Sequence, residues 1–193
     1  MHRRLFATLA VFSLCSATAA HATTFNWQFT LGPEAQGATG TGSATASFND
    51  ATNIFSYDVA FSGLSGNSTV AHFHCCTATP GGGTAGVAVA APSLLNFPVG
   101  VQTGSFSGSY DLTLQSSFSA GFINGLGGGT VPGALAAFLT GLNAGAAYLN
   151  IHSNLFPGGE IRGFAEKVPE PGTLALLGLG LAGLGWSRRR KTS

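Results

Sequence analysis

The chain has 193 residues, 29 of them glycine, and only 8% of its residues are charged. Six of its eight basic residues lie at the two ends, so residues 23–168 keep Arg162 and Lys167 against six carboxylates, a net charge of −4. A mildly acidic middle without a basic patch excludes a nucleic-acid partner, whose phosphates require clustered Lys and Arg. That middle is long enough for one domain with its own core. Its strand-like runs of Phe, Val and Tyr exclude disorder throughout.

Residues 1–22 read as a secretory signal peptide. Arg3 and Arg4 supply the positive start, and a small-residue apolar run follows to Ala20. Ala20, His21 and Ala22 form an A-x-A site, which predicts cleavage between Ala22 and Thr23 by signal peptidase after delivery to the secretion machinery. The run is too short to be a stable span, which needs about 20 apolar residues. Cys15 leaves with this segment, so Cys75 and Cys76 are the mature cysteines.

Strand periodicity begins at once. Phe25–Leu31 alternates apolar and polar residues, as a half-buried strand does. Gly42–Asn49 is a second strand, and residues 49–53, rich in Asn and Asp, supply a turn. Ile54–Ser62 carries the strongest pattern, with Phe55, Tyr57, Val59 and Phe61 on one face. Further strands are expected at Thr69–Cys75, Gly86–Ala91, Gly104–Thr113, Ala147–His152 and Glu160–Ala165. Residues 132–143 have helical spacing, with Leu135, Phe138, Leu139 and Leu142 on one face and Gly145 at the end. The whole predicts an all-β, antiparallel, Greek-key-like sandwich or barrel of seven or eight short strands with one short helix.

The end of the chain is a different object. Val168, Pro169, Glu170 and Pro171 form a stiff break. Residues 172–186 are apolar and uncharged, and residues 187–191 are basic, the order of a stop-transfer segment. A C-terminal transmembrane helix over 172–186 is therefore expected, short for a full span and suited to transient inner-membrane anchoring. The Pro-Glu-Pro motif, the Gly/Leu run and the basic end together resemble the PEP-CTERM sorting tail of Gram-negative bacteria. The resemblance implies that an exosortase-type membrane enzyme acts at Pro169, Glu170 and Pro171 and releases the protein to the cell surface or the medium.

Three segments of the middle carry a second resemblance. They are Phe61–Leu64 leading into Val70–His74, then Ala147–His152, then Phe156–Gly163 with its Gly-Gly-Glu-Ile-Arg-Gly ending. Together they resemble the CHRD domain over most of residues 23–167. The resemblance implies an extracellular all-β module of poorly defined role.

His72 and His74 sit two residues apart on a predicted strand, so they share a face with Cβ atoms about 6.6 Å apart. Neutral imidazoles so placed can converge on copper or zinc. His152 lies on another predicted strand and could complete the site. Cys76 could add a thiolate, and Glu160 could add an oxygen ligand or orient a ring. The alternative is a buried polar network in which His72, His74, His152, Glu160 and Arg162 bond one another, and on sequence this network takes precedence. The adjacent Cys75 and Cys76 admit a vicinal disulfide, an intermolecular bridge or a soft-metal site in an oxidising compartment. The vicinal bridge ranks first.

No hydrolase elbow or phosphate loop is present in the sequence. The expected function is thus non-enzymatic: a surface or extracellular-matrix module that binds polysaccharide or surface proteins. A secreted copper- or zinc-binding or redox protein is the alternative.

Overall fold

The structure is a computed structural model that describes residues 22–89, 92–169 and 179–181. The signal segment before Ala22 lies outside the described residues. So do Glu170, Pro171, the basic end and all but three residues of the expected membrane segment. Among the described residues, no helix is long and apolar enough to cross a membrane.

The strands are β1 (Thr24–Pro33), β2 (Thr41–Asn49), β3 (Ile54–Ser62), β4 (Ser68–His74), β5 (Val87–Val89), β6 (Gly104–Asp111), β7 (Tyr148–Ser153), β8 (Ile161–Phe164) and β9 (Glu166–Lys167). Helices α1 (Ala120–Asn124) and α2 (Val131–Asn143) lie between β6 and β7. The architecture is antiparallel β throughout, a curled half-barrel with strand order β5-β4-β7-β8-β1-β2-β3-β6. β9 adds to β1 beside the main path.

Alternation sets which side each residue takes. Along β3, Phe55, Tyr57, Val59 and Phe61 are buried while Ser56, Asp58 and Ala60 face out. The same rule places Trp27, Phe29 and Leu31 of β1 inside. The β2–β3 turn closes as its residues predict: the Asn49 side-chain oxygen accepts from the backbone N–H groups of Ala51 and Thr52, and Asn53 takes a positive φ of 56°.

After β3 the chain crosses to the far side of the sheet to form β4, then returns through residues 92–103 to place β6 against β3. That returning segment is tied to both edges. Leu94 N–H donates to Ala71 O and Ser68 N–H to Val101 O on the β4 side. Tyr57 Oη–H donates to Leu95 O on the other.

Helix α2 fills the mouth of the curl. Thr130 caps it by accepting from Gly133 N–H, Pro132 stands in its first turn, and Gly145 at φ 67° follows its end. Its buried face is Ala134, Phe138, Gly141 and Leu142, with Leu135 and Leu139 only partly covered. The expected face is thus rotated toward the small residues, because Gly141 lies directly against the sulfurs of Cys75 and Cys76 and leaves no room for a Cβ. Phe138 meets Phe55 at 5.3 Å between ring centroids, and Phe55 meets Phe73 at 5.2 Å. This cluster of tilted and edge-on rings is the centre of the core.

Both ends of the domain leave from one end of β1. Thr23 N–H donates to the Asp50 carboxylate at 2.8 Å, and Val168 N–H donates to Asn26 O at 2.9 Å. Pro169 follows and is exposed.

Candidate metal centre

The outer side of the sheet has two halves. Over β1, β2, β3 and β6 it is open. Over β4 and β7 it is covered by loops, and the histidines lie beneath them. The β4–β7 register pairs His72 with Asn150, His74 with Tyr148 and Val70 with His152. All three histidines therefore project to the same outer face, opposite the core residues Ala71, Phe73, Leu149 and Ile151.

Their rings are neighbours. Centroid separations are 5.6 Å for His72–His74, 5.3 Å for His72–His152 and 6.3 Å for His74–His152. Each ring is held by one backbone carbonyl from a covering loop. His72 Nε2 lies 2.7 Å from Pro92 O, His74 Nδ1 lies 2.9 Å from Ala85 O, and His152 Nδ1 lies 2.9 Å from Pro157 O. A carbonyl oxygen only accepts, so each of these nitrogens carries the proton.

The other nitrogen of each neutral ring then holds a free lone pair. Those atoms are His72 Nδ1, His74 Nε2 and His152 Nε2, and each is buried with no hydrogen-bond partner. One nitrogen from each ring lies within 4.8 Å of the other two. A metal with bonds of about 2.0–2.1 Å holds its donors roughly 3.3–3.5 Å apart, so small ring rotations close the set. Fixing the far nitrogen of each ligand through a carbonyl is what a metal-ligating histidine requires of its surroundings.

Burial disfavours the charged form of His72 and His74. It lowers His74 to about 4, a shift that the Ala85 carbonyl partly opposes and that neighbouring positive charge, Arg162 included, deepens. Burial likewise lowers His72. Tyr148 stacks flat on His74 and exchanges hydrogen bonds with the Ala85 backbone.

The other sequence candidates lie elsewhere. Glu160 is 0% exposed, but its carboxylate accepts from the backbone N–H groups of Ser65 and Gly66 at the β3–β4 turn. It neither touches the histidines nor pairs with Arg162, because it precedes β8 and its carboxylate is taken by the Ser65 and Gly66 backbone. Arg162 pairs instead with Glu34 at 3.3 Å and donates to Gly83 O at 2.8 Å. The expected network of histidines, Glu160 and Arg162 is thus replaced by three separate arrangements.

Cys76 is also removed from the set. β4 stops at His74, and the Cys75–Cys76 peptide is cis, with the two sulfurs bonded to each other and their Cα atoms 3.0 Å apart. The pair sits under α2, with Cys76 Sγ 3.5 Å from Ala137 O. A disulfide sulfur offers no thiolate.

Sequence reasoning passed over Glu34, whose carboxylate also receives the Asn150 side-chain amide. It follows a strand end and lies 116 residues from Asn150, so no local pattern marks it.

Comparison with known proteins agrees with this architecture. The CHRD domain family model matches residues 27–165, and the chain belongs to that family. The PEP-CTERM protein-sorting motif matches residues 167–190. This is therefore an exported CHRD protein whose tail directs membrane anchoring and processing by an exosortase-type system. No curated protein and no solved structure matches the chain.

Proposed function

We propose that this exported CHRD module binds a copper or zinc ion through His72, His74 and His152. The observation that carries the reading is a cluster of three histidines, one nitrogen of each within 4.8 Å of the others, in which each ring keeps one buried, unpartnered nitrogen. A buried polar atom without a partner costs about 1–3 kcal/mol. Three such atoms in one cluster make a poor structural network and a good ligand set. The donors are nitrogens of the type that copper and zinc favour.

The test is metal content of the processed domain purified from its export compartment. One copper or zinc per chain is expected. It should be lost in His72→Ala/His74→Ala and in His152→Phe, with the circular dichroism of the domain unchanged. Background metal in the wild type, or equal metal in both variants, overturns the reading.

A second reading rests on the open half of the sheet. Thr30, Ser43 and Ser105 form one cross-strand row, and Gln28, Thr45, Asp58 and Ser107 the next. They line a shallow cavity of about 670 Å³. A nearly uncharged hydroxyl and amide surface suits an extracellular polysaccharide, which would place the module at the cell surface or in the extracellular matrix. Loss of polysaccharide retention after Thr45→Lys/Ser107→Lys, with metal content unchanged, would support it. Unaltered retention would remove it.

A further inference from the structure

The geometry points to a metal in a particular oxidation state: we propose that the three-histidine site selects monovalent copper over zinc and over cupric copper. This rests on the metal reading above and goes further by naming the charge of the ion.

The donor set is electrically neutral. Each imidazole as a ligand is neutral, and a carbonyl at Pro92, Ala85 or Pro157 fixes which of its nitrogens carries the proton. No anionic donor joins them. Glu34 is engaged by Arg162 and by the Asn150 amide, Glu160 by the Ser65 and Gly66 backbone, and the sulfurs by each other. Among the described residues, the group of potential ligands is the three histidines alone.

The positive charge of Arg162, paired with Glu34, stands one ring away from His74. Arg162 lies over the Tyr148 ring, 5.4 Å from its centroid, and Tyr148 stacks on His74 at 4.7 Å. The three ligand nitrogens are also sealed from solvent by the loops that supply the carbonyls.

Two physical consequences follow. Desolvation cost rises with the square of the charge, so a monovalent ion pays about a quarter of the penalty of a divalent one in the same site. Zinc bound by three histidines takes a fourth ligand, commonly water, and the three nitrogens are themselves buried. Copper(I) has a filled d shell and is satisfied by three nitrogens in a trigonal arrangement. Among the described residues the three histidines supply that number of nitrogens, and the buried Asn150 Oδ1 beside His72 is a neutral amide oxygen, a weak donor to so soft an ion.

The experiment uses the processed domain under anaerobic conditions. Copper(I), supplied as its acetonitrile complex, zinc sulfate and copper(II) sulfate are each titrated against chelators of known affinity. Copper(I) is expected to bind at least about 100-fold more tightly than either dication, about 2.8 kcal/mol at 1.4 kcal/mol per tenfold. X-ray absorption of the loaded protein should show nitrogen scatterers and no sulfur. Arg162→Gln should narrow the preference about tenfold, and Arg162→Lys should keep it. Equal or tighter binding of zinc or copper(II) overturns this inference while leaving the metal site standing. Failure of all three ions to bind overturns the site itself.

Discussion

The Tyr148 ring lies parallel to His74, with centroids 4.7 Å apart and planes 2° from coplanar. The same tyrosine holds the Ala85 backbone that orients His74 from its other side. One aromatic residue thus positions a proposed ligand through stacking and through the loop that carries its carbonyl partner. Tyr148→Phe keeps the stack and loses the loop bonds. It should cost about 1 kcal/mol of stability and weaken metal binding by less than tenfold. Tyr148→Ala loses both and should cost about 3–5 kcal/mol, with metal binding weakened by 10- to 100-fold. Chemical denaturation and metal competition read the two effects separately.

His74→Phe separates a site from a network. The substitution keeps an aromatic ring against Tyr148, and Ala85 O retains the Tyr148 hydroxyl as a donor. It also removes a buried nitrogen that lacks a partner. Stability of the metal-free domain should therefore change by less than about 1 kcal/mol, or rise, while bound metal is lost. A drop of several kcal/mol would instead mark His74 as structural.

Acid should loosen the metal-free domain through the same ring. His74 titrates near about 4 when folded and near about 6.5 when unfolded. Between those values the unfolded chain holds more protons, so stability is complete above the unfolded value, falls as pH drops through the window, and levels off below the folded one. From pH 7 to pH 5 the loss due to His74 should be about 2 kcal/mol. His72, lowered in the same direction, adds to it. Denaturant midpoints across that range check the sign, and His74→Phe should flatten the curve.

Glu160 has a structural task. It is wholly buried and its carboxylate serves two backbone donors at Ser65 and Gly66. Glu160→Gln should cost about 1.5–3 kcal/mol, and Glu160→Ala about 3–5 kcal/mol. Neither should alter metal stoichiometry in the fraction that folds. Metal loss in folded Glu160→Gln would contradict this separation.

Processing can be read from mass. Val168 still bonds Asn26 on β1, and Pro169 is exposed. The exported protein should start at Thr23 and end near Pro169, lacking Arg190. A mature C-terminus that retains Arg190 would contradict cleavage of the tail.

Much of this protein is local in its sequence. Strand β3 begins and ends where the Phe55, Tyr57, Val59 and Phe61 alternation does, because a side-chain period of two is a property of the extended backbone itself. The same rule puts His72 and His74 on one face of β4. The two ends declare themselves by charge, apolar length and proline, which act without reference to the fold.

The three-histidine cluster needed tertiary structure. His152 reaches the pair only because β7 lies antiparallel beside β4, a pairing across some 80 residues that no local pattern encodes. Which nitrogen of each ring is free depends on the carbonyls of Pro92, Ala85 and Pro157, delivered by loops whose paths the sheet edges set. The partners of Glu160 and Arg162 were decided in the same way. Alternation can say which side a charge faces, but only the packed loops decide what meets it there.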